Sequence, residues 1–135
     1  MSIELKELVG MTPDIEKKLR ETGINSSDRL LDACKTPKQR QALAKQLGIP
    51  ARDLLELANR ADLARIKGIG SVYSNLLEKA GVDTVKELAT RRPENLHKKI
   101  LEINEKARWV KQPPTSTQVE SWVEQAKQLP KVLEY

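Results

Sequence analysis

Cysteine, histidine and aromatic rings are nearly missing from this chain, whose 135 residues include one Cys, one His, two Trp, two Tyr and no Phe. A single cysteine, Cys34, excludes an intrachain disulfide and a thiolate zinc site. It falls in "LLDACK", on the apolar side of a predicted helix, where a buried and inert thiol is expected. His97 has no His or Cys partner at ligand spacing, so neither a metal centre nor a Ser-His-Asp or Cys-His nucleophilic set can be assembled from the pattern. No P-loop and no recognisable carboxylate pair is present. The expectation is a protein with no catalytic residue, no metal ligand and no small-molecule substrate. Long apolar runs are missing too. The opening "MSIELKELVG" carries charges in its first turns, so no signal peptide, membrane span or membrane partner is expected, and the predicted location is cytoplasmic.

What remains is an ordinary globular palette, 39% apolar and 32% charged. The length suits one domain, or two very small ones fused into one core. With so few rings, that core has to be built from Leu, Ile, Val and Ala. The formal charge is +5 and the pI about 9.4, a modest excess that favours polyanions at long range. It is concentrated between Arg91 and Lys111, where seven basic residues (Arg91, Arg92, Lys98, Lys99, Lys106, Arg108, Lys111) face three acids. The plain alternative for that segment is a solvated helix face.

The chain repeats itself. Leu5–Ala33 aligns without a gap on Leu63–Arg91 at a constant offset of 58 (63 − 5). Leu5, Leu8, Gly10, Met11, Leu19, Gly23, Ile24 and Leu30 meet Leu63, Ile66, Gly68, Ile69, Leu77, Gly81, Val82 and Leu88. The match returns further on at an offset of 65 (119 − 54), where Leu54, Leu57, Ala58 and Ala61 meet Val119, Trp122, Val123 and Ala126. Both sets have the spacing of one buried helical stripe. The organisation predicted is two copies of one multi-helix unit, residues 1–60 and 61–135, the second lengthened by an insertion that includes the proline-stiffened "KQPPTST".

Local signals indicate an all-α chain. Thr12-Pro13, Thr36-Pro37 and Pro50 read as helix starts. Thr84 with Glu87 fits a capping box. Gly23 and Gly81, each followed by an apolar residue, read as left-handed C-terminal caps. Leu96, Ile100, Ile103, Ala107 and Val110 predict one longer helix carrying the basic segment.

"LARIKGIGSVYSNLLEKAGV" resembles the helix-hairpin-helix motif of DNA repair and recombination proteins. Leu63, Ile66, Gly68, Ile69, Gly70, Ser74, Leu77, Gly81 and Val82 fill its positions in order. The whole arrangement, ending in "VESWVEQAKQL", resembles a bacterial family of unknown function built from two such units. The resemblance implies tandem helix-hairpin-helix, SAM-like helical repeats. It also implies a turn that grips duplex backbone across the minor groove, sometimes with a monovalent cation at the Gly68–Gly70 hairpin.

Elementary chemistry supports that use. Glycines at 68 and 70 let the backbone approach another molecule without a Cβ clash. The amides of Gly68, Ile69, Gly70, Ser71 and Val72 lie near the start of a helix, where donors lack intrahelical acceptors and the dipole is positive. A phosphate oxygen can accept from them, without base information. Arg65, Lys67 and Lys79 are the nearest charges in sequence, and Arg91, Arg92, Lys98 and Lys99 would extend the contact. Ile69 is expected to plug the core, Ser74 to be a close-packing small residue, and Ser71 either to meet phosphate or to cap its own helix. Trp109 could stack on a base or fill the core, and Trp122 belongs to the core.

The first copy, "VGMTPDIEKKL", has Thr12 in place of the second glycine, Asp14 in the first helical turn and Glu16 where a small residue is expected. It is expected to be structural. A single hairpin neutralising two or three phosphates gives non-specific affinity on the order of 10⁻⁴ to 10⁻⁶ M. The function expected is non-catalytic, sequence-independent binding of DNA backbone. The alternative is an adaptor whose helical faces bind a protein partner.

Overall fold

The structure, a computed structural model, describes residues 3–108 and 110–134, and of Ser71 the backbone only. Trp109, read above as a stacking or core residue, lies outside them. Among the described residues there is no strand. A short 3-10 turn, Leu5–Glu7, is followed by α1 (Pro13–Glu21), α2 (Ser27–Ala33), α3 (Pro37–Leu47) and α4 (Ala51–Leu63). Then come α5 (Ser71–Lys79), α6 (Val85–Ala89), α7 (Pro93–Ala107) and α8 (Ser116–Gln128). No helix is long and apolar enough to cross a membrane.

The helix starts are set by the side chains the sequence offers. Thr12, Ser26, Thr36, Thr84 and Thr115 each accept from a backbone N–H three residues on. The box expected at Thr84 is half formed: Thr84 Oγ1 accepts from Glu87 N–H at 3.2 Å, while the Glu87 carboxylate turns to Arg91 at 2.9 Å. At the other ends, Gly23 and Gly81 adopt φ of +89° and +92°, and the following Ile24 and Val82 donate back to Leu19 O and Leu77 O at 2.9 and 2.8 Å.

α7 is shorter than its apolar spacing predicts. It ends at Ala107, because Arg108 takes a left-handed conformation with φ +51°. Val110 lies beyond the end, where the Asn104 side chain takes both its N–H (3.1 Å) and its C=O (3.0 Å). Leu96 and Ile100 are buried and Ile103 partly so, whereas Ala107 is exposed.

Element bounds repeat with the sequence. Adding 58 to α1 gives α5, and adding 65 to α4 gives α8, each to the residue. Buried side chains form two clusters. One gathers Leu5, Leu8, Leu19, Leu30, Leu54, Leu57 and Ala61 with the distant Leu133. The other gathers Leu63, Ile66, Ile69, Leu77, Leu88, Ile100, Val119 and Trp122. The boundary falls inside α4, between Ala61 and Leu63.

Candidate nucleic-acid interface

Each cluster is entered through a tight corner that precedes a nine-residue helix, α1 or α5. The two corners share a backbone. Leu8 and Ile66 donate to Leu5 O and Leu63 O, and Met11 and Ile69 to Leu8 O and Ile66 O. Gly10 and Gly68 both have φ +99°. At Gly68 a glycine is needed twice over, since the left-handed conformation disfavours a side chain and a Cβ there would lie 3.1 Å from Trp122 Nε1.

The corners differ where the next helix begins. In the first, Thr12 Oγ1 accepts from Ile15 N–H at 3.1 Å, Pro13 has no N–H to offer, and Asp14 and Glu16 place carboxylates in the first turn. Beside that corner, Val9 and Gly10 line a cleft of about 270 Å³ together with Glu56, Glu78, Asp83 and Arg60. Arg60 is buried there. It pairs with Glu78 and donates to Asn75 Oδ1 at 3.3 Å, and its Nη1 has no acceptor among the described residues. Burial holds the Arg60 guanidinium below its usual pKa, against the opposing pull of Glu56 and Asp83. Three carboxylates make this corner unfit for an anion.

In the second corner, Gly70 is the N-cap residue of α5 and supplies no side chain, and the first turn of α5 carries no acid. Gly68 and Gly70 are exposed, with open space around the position of a Gly70 Cβ. Val72 is exposed on the first turn. Ile69 is buried and its N–H is taken by Ile66 O at 3.2 Å, so it plugs the core and offers no amide. Amide donors left without a described acceptor include those of Gly68, Gly70, Val72 and, one residue on, Tyr73. Ser74 is buried, as close packing requires.

The cations predicted for this site divide. Lys67 is exposed at the corner itself. Arg65 is held inside: Nη1 donates to Asp62 Oδ1 at 2.9 Å and Nη2 to Pro130 O at 2.7 Å. Arg91 is also engaged, donating from Nη2 to Gly81 O and to Glu87, both at 2.9 Å. Lys79 is exposed but ends α5, roughly 12 Å along the axis from Ser71 at 1.5 Å per residue. Arg92 begins α7, and Lys98 and Lys99 are exposed along it.

Three contributors were not singled out from the sequence as parts of this corner. Tyr73 packs its ring on Trp122, with centroids 5.3 Å apart at 49°, and its hydroxyl donates to Gln112 O at 3.4 Å. That bond brings the loop after α7 to the Tyr73 hydroxyl, and Lys111, next to Gln112 in that loop, is exposed. Gln125 clasps the corner from behind, accepting from Lys67 N–H at 2.9 Å and donating to Lys67 O at 3.2 Å. The one signal for Gln125 was its place three residues after Trp122 on the α8 stripe; for Lys111 there was none beyond charge.

Among the described residues, no group of three or more His, Cys, Asp or Glu could hold a metal ion. A monovalent cation at the corner would rely on main-chain carbonyls. Two of these, Ile66 O and Lys67 O, already accept from Ile69 N–H and Gln125, so the corner's own bonding competes with such an ion.

Residues 9–129 match the family model described as "Domain of unknown function (DUF4332)", a span running from the first corner through the end of α8, and the chain belongs to that family. No curated protein and no solved structure matches it.

Proposed function

We propose that this member of a family without an assigned activity is a tandem helix-hairpin-helix protein that binds DNA backbone without sequence preference, through the corner at Gly68–Val72. The supporting observation is the contrast between two otherwise equivalent helix starts. α1 is capped by Thr12 and carries acids, whereas α5 starts at an exposed glycine with no side-chain cap and no acid. First-turn amides left without acceptors, at the positive end of a helix, suit a phosphate oxygen. Lys67 supplies charge beside them, and the exposed Lys98 and Lys99 on α7, with Lys111 in the loop that follows, extend the basic surface. Arg65, Arg91, Lys79 and Arg92 are left out of the contact by their partners or their distance, Arg92 adjoining the Arg91 that bonds Gly81 past the far end of α5.

The contact is small. Two or three neutralised phosphates give a dissociation constant on the order of 10⁻⁴ to 10⁻⁶ M and a log–log salt slope of about −2 to −3. Fluorescence anisotropy with a random-sequence duplex, between low and physiological salt, measures both. Gly70→Asp is the decisive variant. Its side chain enters open space and caps α5, so the fold is kept, yet it sets a carboxylate where the phosphate would lie. Binding that is absent at low salt, or indifferent to Gly70→Asp, overturns the proposal. The competing reading, an adaptor for a protein partner, draws on the first corner, where Thr12 and the acidic cleft leave no place for phosphate.

A further inference from the structure

The two-fold repetition of the chain makes one difference between the corners informative. Adding 65 to Leu57 and Arg60 gives Trp122 and Gln125. Leu57 and Trp122 do the same job, each backing the glycine of its corner: a Cβ on Gly10 would lie 3.7 Å from Leu57 Cδ2, and one on Gly68 lies 3.1 Å from Trp122 Nε1. Arg60 and Gln125 do not. Arg60, in the cleft beside its own corner, reaches across to Asn75 and Glu78 on α5. Gln125 stays at its corner, half-buried, with Ser121 Oγ accepting from Nε2 at 3.2 Å and both polar groups of Lys67 in its grasp.

This clasp bears on the anion directly. Lys67 C=O and Gly68 N–H belong to one planar trans peptide, so they point in opposite directions. Drawing the carbonyl onto Gln125 therefore turns the Gly68 N–H away from α8, and Gly68 is exposed. A corner with glycines at 68 and 70 has more backbone freedom than any other sequence there would allow, and an amide that samples many directions binds phosphate poorly.

We infer that Gln125 is the positioning residue of the second corner: by holding both polar groups of the Lys67 backbone, it fixes the direction of the Gly68 amide and the rim position of Lys67 for phosphate. The inference rests on the reading of that corner as a DNA-backbone contact, and its test separates the two. Gln125→Met keeps the length of the side chain and removes both hydrogen bonds. Backbone amide exchange followed by NMR in the free protein is expected to show Lys67 N–H protected in the parent and exchanging about tenfold faster in Gln125→Met. Duplex affinity is expected to fall about fivefold, with the salt slope unchanged because no charge is lost. Gln125→Glu supplies the readout that a packing role alone would not give. Its carboxyl imitates the amide donor only when protonated, so its affinity relative to the parent should recover as pH falls from about 7 to about 4.5. If the parent binds duplex and Gln125→Met binds equally well, the inference fails while the DNA reading stands. If the parent does not bind at all, the DNA reading fails. The clasp is then judged by exchange alone, and equal rates at Lys67 in parent and variant overturn it.

Discussion

Gly68 and Gly70 are two residues apart, yet they tolerate substitution differently. Gly68 has φ +99° and Trp122 Nε1 only 3.1 Å from where a Cβ would lie, so Gly68→Ala combines backbone strain with displacement of a buried ring. A loss of about 1–3 kcal/mol in urea denaturation is expected. Gly70 is extended, faces open space and already occupies an N-cap, so Gly70→Asp should leave stability unchanged or raise it by about a few tenths of a kcal/mol. That separation lets a loss of DNA affinity in Gly70→Asp be read as lost contact rather than lost fold. Cys34 offers a second probe at this scale. Burial pushes its thiol from 9.0 up to about 11, outweighing the opposing effect of Arg40. The folded-state value is the raised one. Its contribution to stability is therefore complete below about pH 9 and is lost progressively as pH climbs toward 11. Near neutral pH a thiol reagent should label Cys34 no faster than the protein unfolds.

Among the elements, α6 shows how a short helix is kept in place. It has five residues, too few to persist by itself, and its first N–H, from Val85, donates to Asp62 Oδ2 at 2.8 Å. The other oxygen of Asp62 pairs with Arg65, whose side chain is 12% exposed. Asp62→Ala should destabilise the protein by about 3 kcal/mol, measured by urea denaturation, because a mostly buried ion pair is broken and a helix start is freed together. In the first unit the same task falls to the main chain, as Ser27 N–H donates to Ile3 O at 3.0 Å. This shows what was legible in the sequence. Helix starts at Thr12, Thr36 and Thr84, the glycine caps and the two buried stripes depend on neighbours a few residues away, and their spacing revealed them. The roles of Asp62, Arg65 and Gln125 depend on partners 23, 65 and 58 residues distant, and no spacing rule reports such pairs. The end of α7 was missed for a related reason, since Asn104 stops it through a side-chain bond that competes with the helix.

At the scale of the whole molecule, the chain after α8 returns to the unit it began from. Pro130 O accepts from Arg65, Glu134 N–H donates to Lys35 O at 2.7 Å, and the buried Arg40 donates to Glu134 O at 2.7 Å. Between these bonds Leu133, 3% exposed, inserts into the first hydrophobic cluster. The recurrence of element bounds from α1 to α5 was legible, because an offset of 58 carries glycines and apolar residues together. This closure was not, because "PKVLEY" has no counterpart in the repeat and too little length to show a period. The arrangement has an energetic consequence. Removing a buried Leu side chain costs about 2–5 kcal/mol through lost transfer energy and the cavity left behind. Leu133→Ala should lose stability in that range, and hydrogen exchange should locate the damage. The amides of α2 and α3, which flank the Lys35 carbonyl bonded to Glu134, are expected to exchange faster, while those of α5 and α8 keep their protection at temperatures below global melting. Equal acceleration in all four helices would show that the clusters unfold together and that the strap does not act on the first cluster selectively. Because the second corner is built on the other cluster, Leu133→Ala should also leave duplex affinity unchanged wherever the protein remains folded.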